Sequence, residues 1–206
     1  MQRTSDLIRM AVCVLCATAG LAAAAPQGAV MDADESRLLE KDTLRIHVAG
    51  CVTGSFERAY GVLQTSNLLE TVQQAYAAQL PVGIKPQFEV KSAGAGRYYY
   101  VNKAGERCDI RELWRETDTN TCFMTAFYAT GKRTFGTFES LIYLTLARDE
   151  QASPKVLVYT VSIRVWPQGA LVRVFLRYLP GIDRYFRKKT ADLETIFTDV
   201  FVGILQ

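Results

Sequence analysis

The residue types able to do chemistry are few in this chain, and they are scattered. His47 is the only histidine. It stands in an alternating stretch with no serine or cysteine suggested as its partner, so its plain reading is a strand histidine satisfied by solvent or a hydrogen bond. No GxSxG elbow, HExxH pair or phosphate-binding glycine loop occurs. Beyond the N-terminal region the cysteines are Cys51, Cys108 and Cys122. Three is an odd set, so at least one thiol is free or intermolecular, and Cys51 reads as a buried, inert one. Their spacing matches no metal knuckle, so neither a metal site nor a cofactor is expected. No catalytic residue is assigned. Arg184, Arg187, Lys188 and Lys189 lie beside Tyr185 and Phe186. This basic, aromatic cluster is either a solvated helix-entry loop or a contact for an anionic membrane surface, where each basic residue contributes about 1 kcal/mol.

The first residues frame where such chemistry would take place. Arg3 and Arg9 precede an apolar stretch from Met10 to about Leu21, followed by the small residues Ala22 to Ala25. That order is the one a signal peptidase reads, and the apolar run is short for a membrane span. Cleavage is expected after Ala24 or Ala25, which predicts a soluble protein exported to a periplasm. Cys13 and Cys16 lie inside the apolar run, so lipidation is not expected. The division is then residues 1–24 as signal peptide, 25–41 as a polar, flexible leader that can hold a helical turn, and 42–206 as one domain. The formal charge of +3 falls to about +2 when Arg3, Arg9 and Asp6 are removed, too weak to argue for nucleic acid. Aromatic residues make up 11%, which favours a packed core or an apolar pocket over disorder.

Period-two and helical patterns locate the elements. Thr43 to Val52 alternates as a strand. Thr53-Gly54-Ser55 breaks it and can cap a helix carrying Phe56, Tyr60 and Leu63. A second short helix opens on a capping-box-like Asn67 to Glu70 and stops at Pro81. Strands are expected over 88–91, 97–101, 107–116, 122–129, 135–148 and 155–165, with turns at 102–105, 118–120 and Gly131-Lys132. On the last strand Leu157, Tyr159, Val161 and Ile163 share a face. Ala170 to Leu179 reads as a helix, because that separates Arg173 and Arg177 from Leu171, Val174, Phe175 and Tyr178. A final helix is expected from near Thr190, with its apolar stripe running from Leu193 to Ile204.

Four stretches carry a family resemblance: RIHVAGCVTGSFERAYGVLQTS, CDIRELWRETD, LVYTVSIRVWPQ and IFTDVFVGIL. Together, over residues 43–206, they resemble the START-like superfamily of polyketide cyclases/dehydrases and lipid-transport proteins (SRPBCC). The resemblance implies an α+β helix-grip fold, with residues 42–206 as one START-like domain. A curved antiparallel sheet of about seven strands would wrap a long C-terminal helix, with two short helices after the first strand. It also implies an apolar cavity between sheet and helix, which suits a hydrophobic small molecule or lipid. Cavity candidates are Tyr98, Tyr100, Trp114, Phe127, Tyr143 and Tyr159 on the strands, Arg164, and Phe197, Val200 and Phe201 on the helix, although plain core packing explains the aromatics as well. Members acting on polyketides steer enolisation with pocket Arg, Tyr or Glu groups. Arg164 or Glu112 would do so here if they face inward, and cross-strand ion pairing is the alternative. The expectation is therefore a periplasmic carrier or presenter of a lipid or isoprenoid-type ligand, in transient contact with a membrane surface. Its rivals are an envelope assembly protein with a filled pocket and a cyclase- or aromatase-type enzyme.

Overall fold

Alternating apolar residues in the second half of the chain fold into a meander, and the helices cover its faces. The computed structural model describes residues 31–84, 86, 89–101, 105–118, 121–133, 136–149, 155–178 and 182–205; for 117, 118, 133, 175–178, 182–187 and 189 it describes the backbone alone. The elements run α1 (Ala33–Leu39), β1 (Leu44–Thr53), α2 (Phe56–Leu63), α3 (Leu68–Gln79), β2 (Val90–Gly94), β3 (Arg97–Val101), β4 (Arg107–Asp118), β5 (Cys122–Arg133), β6 (Gly136–Arg148), β7 (Val156–Pro167), α4 (Ala170–Tyr178) and α5 (Ile182–Leu205). All seven strands form one antiparallel, curved and unclosed sheet in the order β1-β7-β6-β5-β4-β3-β2. Because β1 pairs with the last strand, α2 and α3 carry the chain from one sheet edge to the other. This is the helix-grip α+β architecture that the sequence leads one to expect.

The concave face holds the main core. Val48, Phe123, Leu146, Tyr159 and Val161 from the strands pack with Phe56 and Leu63 of α2, and with Val200, Phe201 and Ile204 of α5. Each fully buried side chain of this size stabilises the fold by about 1.5–3 kcal/mol. Two glycines permit close approach at the centre. A Cβ on Gly50 would come within 2.5 Å of the Tyr159 hydroxyl, so the ring lies directly against the β1 backbone. A Cβ on Gly203 would come within 2.5 Å of the Ala75 carbonyl oxygen, so Gly203 lets α5 cross α3 in backbone contact.

Ser55 caps α2, its hydroxyl accepting from the Arg58 N–H at 3.3 Å. Asn67 stands at the N-cap of α3 without a side-chain cap bond. Its expected partner Glu70 instead accepts the backbone N–H of Ser92, and Gln73 accepts that of Val90. These side chains cover outward-pointing donors of edge strand β2, which would otherwise invite pairing with another chain.

Several expectations need correcting. Residues 32–41, read as part of a flexible leader, contain a helix docked on the sheet. The final helix starts at Ile182, not near Thr190, and is 24 residues long. Its first turns lie outside the apolar stripe that marks its core-facing half, so hydrophobic period alone sets the start too late. The basic cluster therefore lies inside a helix and not in an entry loop; Lys188 is exposed, and the side chains of Arg184, Arg187 and Lys189 lie outside the described set. Gly131 does not turn the chain but continues β5 opposite Cys108, where its missing Cβ makes room for the thiol. Finally, α4 is a helix as expected, but its described side chains are not arranged with the apolar ones inward. Arg173 points to the sheet, donating to the Pro167 and Gln168 carbonyls at 2.8 Å, while Leu171 and Val174 are exposed. Cys51, Cys108 and Cys122 form no disulfide with one another; Cys108 is buried and the others are half-buried.

Gly203→Ala should cost about 1–3 kcal/mol in a urea melt, because the methyl group forces α5 away from the Ala75 carbonyl. Gly61→Ala in α2 meets no atom within 4 Å and should add about 0.5–1 kcal/mol. Equal effects of the two substitutions would contradict the close crossing.

Candidate functional site

Alternation along each strand decides which side chains can meet a ligand held by the grip. Cross-strand register assembles a row across the concave face from Ile46 through Ile163 and Ile142 to Phe127 and Glu112. A neighbouring row runs Val48, Val161, Leu144, Thr125 and Arg115. Beyond it the space is filled: Tyr159, Leu146 and Phe123 expose no surface, and Tyr159 stacks on Phe201 at 4.7 Å. The Tyr159 hydroxyl is 2.7 Å from Thr198 Oγ1 and donates to the Glu194 carbonyl at 3.3 Å, fixing the middle of α5 over the sheet. Ile46, Ile163, Ile142 and Leu144 are only partly buried, as are Leu193 and Phe197 of α5. The grip is thus filled where Tyr159 meets Phe201, and its Ile46, Ile163, Ile142 and Leu144 positions are less completely buried.

Of the cavity candidates, Tyr98, Phe127, Tyr159, Val200 and Phe201 lie in the concave core, and Phe197 is at its partly open end. Tyr98 is buried with its hydroxyl donating to the Ser66 carbonyl at 3.2 Å, and burial pushes its pKa up. Tyr100 shares that face, opposite Cys108, and is half-buried. Glu112 also faces inward, but its two oxygens are held by Arg115, at 2.6 Å from Nε and 2.8 Å from a terminal nitrogen. Arg115 in turn donates to the carbonyls of Leu63 and Thr65 at 2.9 and 3.0 Å, where α2 ends. A carboxylate so engaged is a tether between the sheet and the α2–α3 link.

Trp114, Tyr143 and Arg164 are not in the grip. All three are on the convex face, where α1 covers a second cluster of Leu38, Ala126, Leu141 and Tyr143. Trp114 is displaced by a bulge: Leu113 and Trp114 together stand opposite Ala126, which reverses the alternation after Glu112. Arg164 follows Ile163 and must point the other way. It lines an outer groove with Arg45, His47 and Ser162.

Polar contacts seat α1. Glu35, 1% exposed, accepts from the Trp114 indole N–H at 3.2 Å and from the Tyr143 hydroxyl at 2.9 Å. Burial first, and then this carboxylate, push the Tyr143 pKa up. Arg37 donates to Glu139 at 2.6 and 2.9 Å, and Arg111 reaches Asp32 at 2.8 Å and Asp34 at 2.9 Å. Arg37 holds the Glu139 carboxyl below its ordinary range, and Arg111 does the same for Asp32. Tyr128, which donates to Glu139 at 2.7 Å, is pushed up to about 12 by burial and by that hydrogen bond. Sequence reasoning missed this layer because its partners lie far apart in the chain; the acidic, helix-forming run DADES was its only local signal.

No protein-family model and no curated protein matches the chain. Among solved structures it is similar to a protein of Thermus thermophilus, at 14% identity and a TM-score of 0.46, over 79% of this chain and 97% of that one. A conserved protein from Geobacillus kaustophilus aligns at 11% identity and a TM-score of 0.44, over 79% and 93%. A truncated norcoclaurine synthase from Thalictrum flavum aligns at 12% identity and a TM-score of 0.41, over 72% and 90%.

The ion pairs of α1 carry a pH signature. Glu139 and Asp32 have folded pKa values lowered from the ordinary 4.5 and 3.8. Their stabilisation is complete above those values and disappears as the pH falls through the lower, folded ones. Arg37→Gln should therefore lower the urea midpoint at about pH 7 and lower it less at an acid pH below the folded pKa of Glu139. A deficit of the same size at both pH values would contradict a charge-based anchor.

Proposed function

We propose that the chain is an exported START-like domain that binds a hydrophobic molecule of lipid or isoprenoid type, without covalent chemistry, between the sheet and α5. The observation that carries this reading is the unequal closure of the concave face. The row of Tyr159 and Leu146 is fully buried beneath α5, whereas Ile142, Leu144 and Ile163 of the same face, and Phe197 of α5, are only partly buried. An apolar lining with few polar groups recognises an apolar ligand by shape and dehydration. Among the described residues, the charged groups of the inner face are paired, Glu112 with Arg115 and Arg148 with Glu57 of α2, so they oppose such a ligand less than lone charges would. The N-terminal pattern of Arg3, Arg9, the apolar run and Ala22 to Ala25 supports export to the periplasm, where the domain would carry or present its ligand between two membranes.

A second reading is favoured by one feature. Leu171 and Val174 of α4 are 86% and 58% exposed, which is unusual for an ordered helix face. This suits an envelope interaction protein whose grip is filled.

Protein purified from periplasm should start at residue 25 or 26 by N-terminal sequencing. Native mass spectrometry should show an adduct that organic solvent removes, and the stripped protein should bind the neutral dye N-phenylnaphthylamine. Ile142→Phe should weaken dye binding about tenfold while leaving the melting temperature within a few degrees. An adduct-free protein that takes up no dye would overturn the carrier reading. Loss of partner capture in Leu171→Glu protein would then support the interaction reading.

A further inference from the structure

The outer face of the β1–β7 pair carries charges that the grip does not use. Arg45 and Arg164 are direct cross-strand partners. Directly opposed side chains have Cβ atoms about 4.5–5.5 Å apart, and like charges in that relation repel. Arg37, Arg107 and Arg111 on the same face each hold a carboxylate. Among the described residues, Arg45 and Arg164 have no ion-pair or hydrogen-bond partner. Glu35, the buried carboxylate of α1 on this face, is turned to Trp114 and Tyr143.

The next register pair is His47 opposite Ser162, with Nδ1 3.0 Å from Oγ. These four side chains line a groove of ≈ 250 Å³ whose remaining wall includes Leu39, at the end of α1, and the Tyr143 ring. That volume corresponds to about eight water molecules, more than a bare oxyanion occupies. Two guanidinium forks offer more donors than one carboxylate can accept, and they match the three terminal oxygens of a phosphoryl group. The apolar wall at Leu39 and Tyr143 suits the carbon part of a phosphate ester.

We propose that this groove binds a phosphate monoester, with Arg45 and Arg164 on the phosphoryl oxygens and His47 and Ser162 completing the donor set. The bound dianion removes the repulsion between the two guanidinium groups. The groove lies on the opposite side of the sheet from the hydrophobic grip, so the two sites stand or fall separately.

Calorimetric titration of the mature protein with inorganic phosphate and with glycerol phosphate, at constant ionic strength, tests this. Saturable binding is expected. Arg45→Gln and Arg164→Gln should each weaken it by about tenfold or more, and Arg58→Gln, on α2, should not. Without phosphate, Arg45→Gln should melt at the same temperature as the parent or higher, because repulsion is relieved. A merely structural role for Arg45 predicts a lower temperature and would refute the site. Flotation with phosphatidic acid vesicles that glycerol phosphate competes away would identify a lipid headgroup as the source. Soluble ester binding without flotation would identify a soluble metabolite. A phosphate response that chloride reproduces, or that survives in the Arg45→Gln/Arg164→Gln protein, would mean an adventitious ion only and would overturn the proposal. Dye binding in the grip should be unchanged in every variant.

Discussion

Residues three apart in a regular strand face opposite sides of the sheet, so Glu112 and Arg115 can meet only where β4 breaks its alternation. The bulge at Leu113 and Trp114 is that break. It turns Glu112 and Arg115 to the concave side, where their two-point contact satisfies both charges and lets Arg115 hold the carbonyls of Leu63 and Thr65. It also turns Leu113 and Trp114 outward, where they meet α1. One extra residue in one strand thus fastens a layer on each side of the sheet. Such a half-buried pair is tolerable only with close geometry and further hydrogen bonds, and Arg115 makes four in all.

The two layers are held by different physics. Non-directional apolar contact dominates beneath α5, and it tolerates vacancy as long as enough surface is buried. Directional polar contacts seat α1, which has a single fully buried aliphatic anchor, Leu38. An apolar interface can part or fill without leaving any group unsatisfied. A buried carboxylate such as Glu35 cannot leave its donors without a desolvation penalty. Adaptability therefore belongs to the inner face and fixed geometry to the outer one.

This contrast also explains what could be read from the chain. The meander, the α2–α3 pair and α4 follow from local periodicity and capping residues such as Ser55. The alternation placing Tyr159, Val161 and Ile163 on one face already requires Arg164 to be on the other, so its assignment to the cavity conflicted with a readable signal. Tyr143 was harder: Ile142, Leu144 and Leu146 form one apolar row of β6 and Leu141 and Tyr143 another, so sequence alone does not say which row faces the grip. Trp114 depended on a bulge that has no local mark. The docking of α1 depended on pairs such as Arg37 with Glu139, 102 residues apart, and no window on the sequence contains both.

The contact between Gly50 and Tyr159 has a consequence for how this protein can diverge. The Tyr159 ring occupies the space that a side chain at position 50 would need, and it supports Phe201 on its other side. A homologue with any larger residue at position 50 must shrink or reorient residue 159, and α5 then loses the ring and the hydroxyl that fix it. Positions 50 and 159 therefore form a single heritable unit, detectable as covariation. The volume under α5 changes by exchange across that unit and not by drift at either position alone.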